Sequence, residues 1–406
     1  MRRDLNLLAV GLAASTAGDA AALVALLLRL QPHGSGWVAG LLGAELVPFV
    51  VLAPLTGRIV DRFETRTVLM IALAGQAVLG VPLAFATHLG AIIALFAGVT
   101  ALSAFVRPAT SALVPAITGA GAAERGYALI ATGQNVGWIA GPAAGGLLTG
   151  AFGPTSAILV DAATFALLTV ACAFVRARRH PSPEATATGD GRRRGGLRLV
   201  FGDAVLRAAL IGSAIAVASG VIDNVAAPFR FVQQLGAQSY GYGLYLTLWG
   251  VGALVGGQLA PRLPLRQAAT LALGNLLCGV GIAGIGLAPG LVLAFAASVA
   301  GGVGNGLVNV AQSTLISSRT PAAQHGRAFA ASSAVVQTAI GAGTAVASPL
   351  VAALRADGAM IAAGVLTCAS AGVALALAWR GGEPGTQGPN ADKARPSMPD
   401  SAPRKA

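Results

Sequence analysis

Residues Gly57 to Arg66 read GRIVDRFETR, and Gly257 to Arg266 read GQLAPRLPLR. Both copies place Gly first and Arg sixth and tenth, with an aliphatic pair at the third and fourth positions. Each follows a long apolar run and precedes another. A basic hairpin repeated half a chain apart, between oily segments, indicates a membrane protein built from two similar halves.

Working outward, composition agrees. Charged residues make up 10% of the 406, against about 25% in soluble globular chains. Hydrophobic residues make up 55%, and mean hydropathy is +0.73. A water-soluble fold of this size could not hide so much apolar surface behind so few charges. The 55 glycines suit close helix packing in lipid, where small residues let backbones approach. A crossing helix needs about 20 apolar residues, and twelve such runs can be marked, from 5–30 to 357–379. The first is read as a retained helix rather than a cleaved leader, because its apolar stretch continues to Leu30 and eleven more follow.

The longest polar interruption, residues 176–204, carries two arginine clusters and divides the runs six and six. The organisation expected is therefore an all-α membrane protein with two pseudo-symmetric six-helix bundles. Its parts are an N-terminal bundle at 1–175, a linker at 176–204, a C-terminal bundle at 205–379 and a Pro- and Gly-rich disordered tail at 380–406. With the N-terminus cytoplasmic, the connectors on that side hold all of the 27 Lys and Arg except Arg29, Arg230, Arg355 and the intramembrane Arg107. Such asymmetry sets the orientation, with both termini, the linker and the tail in the cytoplasm. The net charge of +12 is thus a topology signal, and no nucleic-acid partner is expected.

Several chemistries fall away. Cys172, Cys278 and Cys368 sit singly in different runs, and His33, His88, His180 and His325 are scattered among connectors, so neither a disulfide nor a metal site is expected. Gly250 to Gly256 (GVGALVG) imitates a dinucleotide loop but lacks the preceding strand. No nucleophile–base constellation appears, and enzymatic activity is not expected.

The hairpin, the twelve runs and the long central loop together resemble the major facilitator superfamily. Its signature between the second and third helices reads G-x-L-A-D-R-x-G-R-[KR]-x-x-L. Gly57, Asp61, Arg62, Arg66 and Leu69 match it, Ile59 and Val60 are near equivalents, and Glu64 and Thr65 depart from it. The fifth run contains Gly137, Gly141, Pro142, Gly145 and Gly146 (GWIAGPAAGG). That run is similar to the G-x-x-x-G-P-x-x-G-G element of drug:proton antiporters in the superfamily. Glycines at every fourth position give a smooth face, and Pro142 removes a backbone donor and bends the helix. Plain glycine packing fits the same residues. Leu46 to Asp61, Phe105 to Pro115, Ala157 to Phe165 and Thr320 to Ala328 resemble the branch containing macrolide efflux and enterobactin exporters. The resemblance implies a monomeric protein of the cytoplasmic membrane exporting small organic molecules, such as drugs, antibiotics or siderophore-like metabolites. Export would run by proton antiport with alternating access, needing a proton gradient and no cofactor. An importer or uniporter, or a non-transporting membrane scaffold, are the alternatives.

An ionised carboxylate in hydrocarbon is costly, so acids inside the runs are functional candidates. Asp19 lies about 21 Å along the first helix from Leu5, and Glu45 about 18 Å from Gly57, at 1.5 Å per residue. Both fall near the midplane, where coupling ions bind in such proteins, and both are proton-coupling candidates. A buried acid satisfied by hydroxyls or amides fits equally. Asp223 sits toward the outer end of the seventh run, where reaching water is cheap. It too is a candidate, for coupling or gating. Asp161, on the sixth helix that the family holds at the periphery, reads as a structural hydrogen-bonding residue. Arg107 is a further proton-coupling candidate, expected to pair with Asp61 or a midplane acid; reaching the cytoplasmic face is the alternative. Cargo-lining candidates are Gln134, Asn135, Trp138, Trp249, Asn305, Asn309, Gln312 and Gln337. Asn305, Asn309 and Gln312 form one polar stripe at helical spacing, which interhelical bonding would also explain. Asp61 is expected to meet the N-terminal dipole of the eleventh helix when the cytoplasmic side closes.

Overall fold

The computed structural model describes residues 2–119, 122–177, 198–321 and 324–380. Among them the chain is helical with short connectors and no strand. The first six helices are α1 (Arg2–Leu30), α2 (Ser35–Arg62), α3 (Thr65–Phe85), α4 (Leu89–Thr118), α5 (Ala123–Phe152) and α6 (Pro154–Phe174). Then come α7 (Ala204–Phe229), α8 (Ser239–Leu259), α9 (Gln267–Leu287) and α10 (Leu291–Arg319). The final stretch, His325–Arg380, is two helices broken at Arg355, whose φ of 61° and ψ of 173° no α-helix accommodates. They are α11 (325–354) and α12 (356–380). Most of the expected linker and all of the tail beyond Arg380 lie outside the described residues.

Among the described residues, ten stretches are long and apolar enough to cross a membrane. Twelve runs were expected, and the difference has two causes. The stretch from His325 to Gly372 counts once although it holds two helices. The 30-residue α5 falls outside the set because glycines, threonines, Gln134 and Asn135 dilute its hydropathy.

The two halves pair their helices in the same way. In the first, α1 packs on α5 and α6, α3 on α4 and α6, and α2 on α4. In the second, α9 packs on α10 and α8 on α10. There α7 meets α11 where Gly343 faces Ala218, and α9 meets α12 where Gly279 faces Gly364.

A side-chain device repeats with the helices. Arg29, at the end of α1, donates to the carbonyls of Ala84 (3.0 Å) and Ala86 at the end of α3. Arg230, just past α7, donates to the carbonyls of Ile285 (3.1 Å) and Ala288 (2.6 Å) at the end of α9. The last carbonyls of a helix have no partner within it, and a guanidinium there meets both the orphan acceptors and the negative end of the dipole. These two cations, counted in the sequence as exceptions to the charge asymmetry, close helix ends.

Packing between helices relies on missing side chains, since apolar burial gives no net drive toward association in lipid. A methyl at Gly137 or Gly141 would stand 2.6 Å from the carbonyl oxygen of Ala13 or Ala17, and Gly145 meets Ala21 in the same way. These glycines therefore bring α5 onto α1. Between α5 and α6 the chain reverses at Gly153, whose φ of 84° suits a residue without Cβ.

Candidate functional site

The halves touch at the end away from the N-terminus. There α2 packs on α11 and α5 on α8. Ser35 and Ser348 bring their hydroxyl oxygens within 3.1 Å. Thr247 donates to the carbonyl of Ile139 at 2.8 Å and accepts from the amide of Ala143 at 3.1 Å. Gly146 abuts Ser239 and Gly243, and Gly243 sits against the carbonyl of Pro142. The antiporter-like run thus serves two surfaces. Gly137, Gly141 and Gly145 pack within the first bundle, while Pro142 and Gly146 form the seam to the second.

Toward the N-terminal end the facing surfaces are open. Val51 and Leu55 of α2 are 61% and 45% exposed, and Phe329 at the start of α11 is also exposed. Gly57 has no atom within 4 Å of the position its Cβ would take. Arg62 is exposed and Asp61 half-buried. Arg66 donates to the carbonyl of Ala173 at the end of α6, 2.7 Å away, which ties the hairpin to its own bundle.

Inside the first bundle lies a cavity of about 120 Å³ whose wall takes residues from all six helices. Asp19 of α1, Glu45 of α2 and Asp161 of α6 all reach it, with Thr100, Ser103 and Trp138. No basic side chain lines it. The structure brings Asp19 and Glu45 to one cavity and adds a third acid. Asp161, read from sequence as a structural hydrogen-bonding residue, is buried, and its Oδ1 has no hydrogen-bond partner among the described residues. The signal was present one residue before Asp19: a methyl at Gly18 would lie 2.6 Å from Asp161 Oδ1, so the glycine makes the space that carboxyl occupies.

Asp223 does not reach water. It is 4% exposed, accepts a 2.6 Å hydrogen bond from the Tyr245 hydroxyl, and its Oδ1 is unpartnered. The expectation of a solvated outer-end acid is overturned because Phe231, Tyr242 and Tyr245 cover that end of α7 with stacked and tilted rings. Arg107 is exposed on α4 and makes no ion pair among the described residues, so its expected pairing with Asp61 or a midplane acid is not found.

Of the cargo-lining candidates, Trp138 reaches the acid cavity. Gln134 is half-buried and Asn135 exposed on the same helix. Trp249 is half-buried and lays its ring over Gly301 of α10. The polar stripe on α10 is partly spent on structure. Asn309 donates to Asn305 at 2.9 Å to the carbonyl and 3.0 Å to Oδ1. Gln312 donates to Ser332 of α11 at 3.0 Å. Gln337 is half-buried on α11.

The chain is similar to known proteins. The multidrug efflux pump Tap of Mycobacterium tuberculosis (strain ATCC 25618 / H37Rv) is 30% identical over 270 residues, 62% of this chain and 64% of the relative. The match therefore spans less than two thirds of that relative's length. The class G tetracycline resistance protein of Vibrio anguillarum is 32% identical over 187 residues, covering 43% of this chain and 45% of the relative. In fold, the chain matches a crystal structure of a POT family transporter in complex with a thioalcohol-conjugated peptide. The TM-score is 0.72 at 12% identity, covering 94% of this chain and 97% of that one. The sequence profile of the Major Facilitator Superfamily matches residues 6–344. With that match across both repeated halves, the chain belongs to the Major Facilitator Superfamily.

Proposed function

We propose that the protein is a secondary active transporter that exports small organic molecules by proton antiport and alternating access. The observation that carries this reading is the cavity holding Asp19 and Glu45 with no base on its wall. Carboxyls placed in lipid without a cationic partner are expensive to keep ionised, so they hold protons until water or a cationic cargo reaches them. Efflux from the cytoplasm is favoured by the relatives, whose names describe a multidrug efflux pump and a tetracycline resistance protein.

In this reading the bundles at 1–175 and 205–379 rock about the cavity region, joined by the linker at 176–204 and followed by a cytoplasmic tail. The protein works as a monomer in the cytoplasmic membrane with both termini inside. The seam at Ser35–Ser348 and Gly146–Gly243 is then the outer gate in its closed position, and the exposed stretch of α2 faces the cytoplasm. Aromatic walls with sparse amides suit an amphipathic or cationic organic cargo better than a sugar, which would find few partners. The direct test is ethidium efflux from proteoliposomes with and without an imposed pH gradient. Asp19→Asn and Glu45→Gln are expected to abolish gradient-driven movement while leaving the protein folded. Movement that ignores the gradient in the wild type would reject proton antiport.

A further inference from the structure

Asp161 is 7% exposed, and its Oδ1 has no hydrogen-bond partner among the described residues, whereas most buried polar side-chain atoms find one. The nearby Thr164 hydroxyl donates to Asp161's own backbone carbonyl at 2.7 Å and also lies within hydrogen-bonding reach of the carboxyl. The same carboxyl lines the cavity that Asp19 and Glu45 line.

The contact is built rather than incidental. Position 18, next to Asp19 in the chain, is glycine, and a methyl there would lie 2.6 Å from Asp161 Oδ1 and 2.7 Å from Thr164 Oγ1. Any side chain at 18 would push α6 away from α1 or turn the carboxyl aside. One helix thus supplies both an acid and, in the preceding residue, the notch that admits a second acid from its neighbour.

We propose that Asp161 is a third proton-exchanging carboxyl of the N-terminal bundle, joined to Asp19 and Glu45 through the notch at Gly18. The proposal rests on the proton-antiport reading and adds capacity to it. Across the cavity the titratable groups facing Asp161 are Asp19 from α1 and Glu45 from α2. The cavity-lining residues of α3, α4 and α5, such as Gly80, Thr100, Ser103 and Trp138, bring none. No cation on the wall balances three ionised carboxyls, and among the described residues no group of acids is close enough to hold a metal ion. Protons supply the balance, entering from water on one side and leaving to water on the other. No other bond changes. With three members the bundle can release more than one proton per cycle.

The test needs no identified cargo. Infrared difference spectra of the full chain in lipid nanodiscs, recorded between acidic and alkaline buffer, report carboxyl C=O stretches that appear on protonation. The wild type is expected to show several such bands, and Asp161→Asn to lose one of them. Asp161→Glu should restore a band at shifted frequency, and Gly18→Ala should move the Asp161 band without removing it. Wild-type bands that persist unchanged in Asp161→Asn would overturn this proposal while leaving proton exchange at Asp19 and Glu45 intact. A wild type with no pH-dependent carboxyl band would instead sink the underlying antiport reading. Should Asp161→Asn elute aggregated, the Gly18→Ala spectrum decides: an unmoved set of bands rejects the notch and the proposal with it.

Discussion

Ser35 at the head of α2 meets Ser348 of α11 with hydroxyl oxygens 3.1 Å apart, a hydrogen bond that joins the two bundles at the end away from the N-terminus. In the proposed alternating-access cycle, rocking of the bundles breaks this contact. Cysteines at both positions would place sulfurs within bonding reach. Oxidised Ser35→Cys/Ser348→Cys protein is expected to lose at least 90% of its flux (about tenfold, or roughly 1.4 kcal/mol in apparent barrier), and reductant should restore it. Full flux through a quantitatively cross-linked sample would refute opening at this end.

The twin caps at Arg29 and Arg230 set a second prediction, on stability. Arg230→Met strips two buried carbonyls at the end of α9 of their donors. Leaving such groups unsatisfied costs about 1–3 kcal/mol each. Arg29→Met acts on Ala84 and Ala86 in the same way, but from a half-buried site that water can partly repair. Both variants should melt below the wild type in a thermal-shift assay, Arg230→Met by more. Identical melting temperatures for wild type and Arg230→Met would remove the capping account.

These arginines show what the sequence could and could not reveal. Helix number and duplication were legible because apolar run length and a repeated basic hairpin are local signals. Arg29 and Arg230 looked like violations of charge asymmetry, although they stand at nearly the interval of the two hairpin copies, and that spacing was the available clue. The contact of Asp161 with α1 was not legible, because it depends on which helix lies opposite; only Gly18 marked it, in a chain where glycine is everywhere. Nor was the packing of Trp249, since an aromatic in an oily helix looks the same whether it faces a cavity or fills the notch at Gly301. Asp223 was judged by its depth along the helix, and depth says nothing about the rings that cover it.

A third prediction concerns that covered acid. Tyr245 supplies a 2.6 Å hydrogen bond to Asp223, whose second oxygen has none. Tyr245→Phe leaves both oxygens bare in a dry site and should destabilise by about 1–3 kcal/mol. Asp223→Asn replaces the carboxyl by an amide with its own donors, so adding it to Tyr245→Phe should recover part of the loss. A double-mutant cycle on unfolding measures this coupling. Strict additivity of the two substitutions would show that the pair does not act together.

The hairpin offers a fourth. Arg66 anchors it to the end of α6, while Asp61 sits half-buried at the end of α2, beside the opening between the bundles. Asp61→Asn leaves the Arg66 anchor in place and should still insert, yet transport at least tenfold more slowly for want of the proposed latch to α11 on closure. Wild-type flux in Asp61→Asn would reject the latch.

The two faces of α5 permit the sharpest separation of folding from gating. Gly141 stands over Ala17 and Ala20 inside the first bundle, whereas Gly146 stands over Ser239, Tyr240 and Gly243 of the second. Gly141→Val must force α5 off α1, next to the helix turn that carries Asp19. Overpacking of a tight contact costs about 1–3 kcal/mol, so this variant should melt early and transport poorly. Gly146→Val strains only the seam between bundles. It should keep its melting temperature near that of the wild type while shifting the population away from the state closed at Ser35–Ser348. Spin labels placed at those two serines would then report a longer mean distance in Gly146→Val than in its parent. If Gly146→Val instead melts as early as Gly141→Val with an unchanged label distance, the glycine run has a single packing role and its division between bundle and seam is wrong.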